Sequence, residues 1–91
     1  MPAKQQQRPT PEEQQERRQR DAAISGHVLH ALGQPGDLCR VQVRRLWEGR
    51  YRVNVLVGVD VASARVAHSY FLVADGDGNI VTSTPEIKRQ Y

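Results

Sequence analysis

Between residues 38 and 59 apolar and polar positions alternate with a period of two, as in strands with one buried and one wet face. "LCRVQVRRLW" and "RYRVNVLVGV" predict antiparallel strands at about 38–47 and 50–59. Cys39, Val41 and Val43 share one face of the first; Tyr51, Val53, Val55, Val57 and Val59 share one face of the second. A three-residue loop, Trp47-Glu48-Gly49, with the glycine in the left-handed region, predicts a bulged hairpin. In that register Val43 opposes Val53, Val41 opposes Val55, Cys39 opposes Val57, and Leu46 faces Arg50. Arg45 and Tyr51 lie together at the rim of the core.

A second hairpin follows in "HSYFLVADGDGNIVTSTP", with strands at about 65–74 and 79–84, "DGDGN" as the turn and Pro85 as the stop. The segment before it, "DVASARVA", fits either a bulged extension of the third strand or a turn capped by Asp60, with strand from about Arg65. Upstream of the hairpins the apolar period lengthens to that of a helix, predicted over about 11–32. Thr10 suits the N-cap, Pro11 the first helical position and Glu13 the capping box. Gly33 and Pro35 end the helix.

Only the second half of this helix is amphipathic. Ile24, Val28, Ala31 and Leu32 form an apolar stripe with His27 at its edge, and the stripe continues backwards through Arg20, Arg17 and Glu13. The first half is therefore a charged projection, stabilised by its cap and by the i,i+4 pairs Glu13–Arg17 and Glu16–Arg20. Residues 1–9, rich in Gln and without apolar periodicity, predict a disordered polar tail. The whole reads as one small α+β domain: an N-terminal helix packed by its second half on the valine face of a four-stranded antiparallel meander.

Composition narrows the function classes. With 91 residues the chain holds at most one domain, and a core this small makes self-association or a partner attractive. A single cysteine, Cys39, excludes an internal disulfide and a cysteine-rich zinc site. There is no apolar stretch of the roughly 20 residues that a membrane helix needs, and no signal-peptide core. The expectation is a soluble, cytoplasmic protein without membrane association. Net charge is +3, and 11 of the 13 basic residues are arginine, which suits planar, bidentate contacts. Lys and Arg outnumber Asp and Glu by five to three in residues 1–20 and again in 21–59, but number three to four in 60–91. The basic excess thus sits in the tail and the first hairpin.

No constellation calls for catalysis, a metal or a cofactor. "DGDGN" imitates part of a calcium loop, but the flanking ligand positions fall on Val73 and Thr84, where carboxylates are needed. Asp, Gly and Asn are also the ordinary residues of a hairpin turn. His27 and His30 are three apart on the helix and point differently; His68 lies on a strand. Cys39 alternates with the valines as a small core residue, and Ser63, Ser69 and Ser83 lack the glycine-bounded elbow of a hydrolase nucleophile. "GQPG" lacks the Lys and Ser/Thr of a phosphate loop.

The residues that ask for a partner are on the face opposite the valines. It carries Arg40, Gln42, Arg44, Arg50, Arg52 and Asn54, with Trp47 at its tip, and sets Arg44 directly across from Arg52. Three readings fit: a merely solvated sheet face, a protein interface, or a surface for nucleic acid. The element order, helix then antiparallel strands, is similar to that of cystatin-like folds. It also resembles double-stranded-RNA-binding domains, which add a C-terminal helix where this chain has "EIKRQY". That likeness concerns architecture and not function. The expectation is a small non-enzymatic binding or regulatory module acting through protein–protein contacts, self-associating or part of a larger assembly. Arg40, Arg44, Arg50, Arg52, Asn54 and Trp47 are its candidate contact residues. The alternatives are nucleic-acid binding through the same face and a small-molecule site between helix and sheet.

Overall fold

The computed structural model describes residues 10–91; the polar tail expected at residues 1–9 lies outside the described residues. Helix α1 spans Pro11–Leu32, and strands β1 (Leu38–Trp47), β2 (Arg50–Val57), β3 (Arg65–Ala74) and β4 (Ile80–Thr84) follow. They form one antiparallel sheet in the order β1-β2-β3-β4, with α1 on one face. The α+β meander expected from the sequence is the fold observed.

Burial of one apolar stripe against one apolar sheet face builds the core. Ile24, Val28 and Leu32 of α1 meet Tyr51, Val53 and Val55 of β2 and Tyr70, Leu72 and Ala74 of β3. Leu38, Val41, Val43, Ile80 and Ile87 pack around that cluster. Fully burying each Val, Leu or Ile contributes about 1.5–3 kcal/mol, so the stripe at 24, 28 and 32 anchors the helix. Its first half does not share in this. Every residue from 11 to 19 is exposed. The N-terminus is held locally, with Thr10 Oγ1 accepting from Glu13 N at 3.1 Å. Arg20 is the first residue to reach the sheet's loops: its Nε donates to Gly76 O at 3.1 Å.

The register of the first hairpin follows the expected pairing through its middle. Val43 opposes Val53, Val41 opposes Val55, and Arg44 opposes Arg52. Arg45 pairs with Tyr51, which is nearly fully buried and belongs to the core proper. Both ends depart from expectation through bulges. Leu38, not Cys39, lies across from Val57, and Cys39 is the extra, half-buried residue. Leu is the larger apolar side chain, and placing it on the core face covers more of the sheet. At the other end Trp47 pairs with Arg50 around a two-residue loop, Glu48-Gly49, and Leu46 is the residue that bulges. Gly49 does take the left-handed conformation, at φ 72°.

Strand β2 stops at Val57, two residues before the expected Val59. Gly58 is approached so closely by Ala64 that a Cβ would lie 2.9 Å from its Cα, so the chain doubles back here. Val59 is left 91% exposed instead of joining the valine face. The link to β3 is a turn closed by Asp60, whose Oδ1 accepts from Ser63 N at 2.8 Å.

Two long-range contacts hold the helix in place. At its middle sits the β3–β4 turn: His27 Nδ1 donates to Gly78 O at 2.9 Å, and Gly78 lies against Ala23. At its end Gly33 adopts φ 89° and donates to Leu29 O. The chain after β4 then returns, and Gln90 N and Tyr91 N both donate to Leu32 O at 2.8 and 3.2 Å. Arg89 adds a bond to His30 O at 3.4 Å. Helix C-terminal carbonyls have no partners within the helix, and this segment supplies them.

Gly78 tests the first of these contacts. At φ 83° an alanine Cβ would meet Ala23 Cβ at 2.8 Å and Arg20 O at 3.0 Å, whereas at Gly76 it would meet nothing within 4 Å. Gly78→Ala should cost roughly 1–2 kcal/mol or more from the left-handed backbone alone, and Gly76→Ala less than about 0.5 kcal/mol. Urea unfolding of the two variants measures the difference; equal effects would mean that the turn does not seat on the helix.

Candidate functional site

Strands β1–β4 contain no Asp or Glu, yet they carry Arg40, Arg44, Arg45, Arg50, Arg52 and Arg65. The acidic residues of the chain all lie in the helix, the turns and the loops. On the face turned away from α1 the register aligns Arg40 with Leu56, Gln42 with Asn54, and Arg44 with Arg52. The next strand continues the rows: Ser69 beside Asn54, Phe71 beside Arg52, and Val73 beside Arg50. This outer face is therefore a graded surface, with guanidinium groups on β1 and β2 and apolar side chains on β3.

Each expected contact residue has a definite place in it. Arg40, Arg44 and Arg52 are exposed. Arg50 is half-buried, and its Nη1 reaches Glu48 O at 3.5 Å. Trp47 is 57% exposed and leans on Phe71, with ring centroids 6.0 Å apart at a tilt of 47°. Asn54 differs from the rest because its amide is already engaged. Its Nδ2 donates to Gln42 Oε1 at 3.3 Å, and its Oδ1 accepts from Ser69 Oγ at 2.7 Å. It is the middle rung of a polar ladder across three strands, a positioning group within the face rather than a free hand.

Phe71 and Val73 were not among the expected site residues. Their signal is the run Tyr70-Phe71-Leu72-Val73-Ala74, apolar at five successive positions of β3. A strand apolar at every position has apolar side chains on both faces, and here Tyr70, Leu72 and Ala74 take the core. Trp47 and Phe71 meet because the hairpin brings β1's end beside β2, and β2 beside β3. Neither residue predicts the other by spacing.

Most of the groups weighed for chemistry have structural partners. The Asp75 carboxylate closes its own turn, accepting from Asp77 N at 3.0 Å, Asn79 N at 2.9 Å and Asn79 Nδ2 at 3.2 Å. His27 bonds Gly78 O, whereas His68 Nε2 lies 2.8 Å from the Tyr91 hydroxyl. Ser63 bonds Asp60, Ser69 bonds Asn54, and Ser83 donates to Pro85 O at 2.6 Å. Among the described residues no three His, Cys, Asp or Glu side chains converge as metal ligands would. No helix among them is long and apolar enough to cross a membrane. The space between helix and sheet is filled by the core. On that side a groove of about 360 Å³ lies between α1 and β4, lined by His27, His30, Ala31, Asn79, Ile80, Ser83 and Ile87.

Comparison with protein-family models, with curated proteins and with solved structures gave no match.

Two outcomes follow from the charges. Arg52→Glu would replace a like-charge cross-strand pair by an opposite one and should raise stability by about 0.2–1 kcal/mol. The gain should shrink as salt screens it, and thermal unfolding at low and high ionic strength reads both; a salt-independent loss would mean that Arg44 and Arg52 do not repel. The Asp75 carboxyl is held below its ordinary value by hydrogen bonds from the Asn79 backbone and side chain. A carboxyl lowered by folding stabilises at neutral pH and loses that contribution as pH falls through its folded value. Asp75→Asn should therefore lower stability at pH 7 and flatten the acid limb of the stability–pH curve; an unchanged limb would contradict the turn geometry.

Proposed function

We propose that this chain is a small non-enzymatic binding module that works through protein–protein contacts as part of a larger assembly, with the outer sheet face as its contact surface. One observation carries the reading: Arg44 and Arg52 are opposed and exposed on a sheet whose strands hold no carboxylate. A carboxylate-bearing surface of a partner supplies the missing counter-charge through charge-assisted, bidentate bonds. Trp47 and Phe71 beside them give that surface an apolar anchor, and Trp and Arg are the residue types that dominate interface energetics. Docking the face on its own copy is unfavourable, because arginine would meet arginine.

A second reading, single-stranded nucleic acid, is favoured by the same aromatic pair. Bases stack on exposed rings while flanking arginines take phosphates. Trp47 is the one tryptophan in the chain, so its fluorescence reports directly on the face.

Polyglutamate and oligothymidylate of matched length are suitable probes, each titrated at low and high salt. Polyglutamate should bind wild type, and the pair of substitutions Arg44→Glu and Arg52→Glu should weaken it by at least about tenfold, the equivalent of 1.4 kcal/mol. Tighter binding of oligothymidylate, with quenched Trp47 emission, would replace the first reading by the second. If neither probe binds, or the double variant binds as wild type does, the outer face is not a contact surface.

A further inference from the structure

The sheet has two edges, and their chemistry differs. Edge β1 is ten residues long and carries Arg40, Arg44 and Arg45, all exposed, together with the Cys39 bulge. Edge β4 is Ile-Val-Thr-Ser-Thr, five residues without charge, four of them β-branched. Sheet edges are open templates for another strand, and charge is one of the devices that keep them apart. Beside β4 the helix side adds the groove lined by Ala31, Ile80 and Ile87, and Val81, the bulged residue of β4, is 63% exposed.

We propose that β4 is a self-association edge, which pairs antiparallel with β4 of a second copy and joins the two sheets into one of eight strands. A two-fold axis perpendicular to the sheet does this and sets both helices on the same side. The two grooves then face each other across the new seam, and each copy's Ile80–Ile87 side closes the other's.

Charge selects both the edge and the occupant. Neighbouring strands lie about 4.8 Å apart. Pairing through β1 would bring Arg40, Arg44 and Arg45 of two copies within one such spacing. Pairing through β4 puts five spacings between the two β2 strands, about 24 Å, well beyond the screening length of about 8 Å at physiological salt. An edge with no charge of its own has nothing to repel its copy and nothing to attract a charged peptide. The second copy is the occupant it fits, and the outer face is left free, because the axis adds strands beside that face and covers none of it. This inference concerns a separate surface and does not rest on the function proposed above.

Sedimentation velocity over a concentration series should show a monomer–dimer equilibrium. Val81→Lys should raise its dissociation constant by at least about tenfold, the equivalent of 1.4 kcal/mol, while polyglutamate binding persists. In a Cys39→Ser background, Thr82→Cys should form a disulfide-linked dimer, and Gln42→Cys on β1 should not. Circular dichroism confirms that the variants are folded, and the cysteine pair decides the matter without Val81→Lys. A chain that stays monomeric at every concentration overturns the proposal, as does a dimer that crosslinks through Gln42→Cys and not Thr82→Cys. Loss of polyglutamate binding with the dimer intact would count against the outer face alone.

Discussion

Everything else in this molecule depends on the seating of Ile24, Val28 and Leu32 against the inner face of the sheet. Among the described residues the helix has no other apolar stripe, and Ile87 of the C-terminal segment adds to its cover of the sheet. A chain this short buries a smaller fraction of its surface than a large domain does and has little stability in reserve. The three residues fix which side of the sheet is inside, and hence which is left to water. The nine exposed residues from 11 to 19 show the same rule in the negative. With no apolar side chain to bury, that stretch extends beyond the core and is held only by its cap and its own backbone bonds.

The orientation of the helix over the sheet is set by polar contacts from distant chain segments. The β3–β4 turn meets it at Arg20, Ala23 and His27, and the chain after β4 meets it at His30 and Leu32. The bonds from Gln90 and Tyr91 give Leu32 O the partners that the end of the helix lacks. These contacts with the helix explain the glycine at position 78 and the placement of "EIKRQY", which has no apolar pattern of its own and serves as the helix's C-terminal partner.

Charge is sorted along the same lines as hydrophobicity. Carboxylates are confined to the helix, turns and loops, whereas the strands carry six arginines and neither Asp nor Glu. That separation makes the outer face a surface without internal counter-ions, and makes one sheet edge repulsive to its copy and the other neutral. The β4 edge and the outer face therefore differ in chemistry for one physical reason, the distribution of arginine across strand order.

The sequence by itself determined what alternation and local turns encode. Period two separated Val41, Val43, Val53 and Val55 from Arg40, Arg44 and Arg52, and the opposition of Arg44 to Arg52 followed from the hairpin. The helix's cap, its apolar stripe and its stop at Gly33 were equally legible, because each involves residues within a turn or two of one another. Tertiary structure alone decided where the bulges fall. Whether Leu38 or Cys39 faces the core depends on which side chain fills it better, a comparison that no pattern along one strand contains. It alone decided that Phe71 stands beside Trp47 and Arg52, since three strands must pair before those residues meet. The return of Gln90 and Tyr91 to Leu32 was likewise invisible in the sequence: helix carbonyls need partners, but only the folded chain shows which segment arrives to supply them.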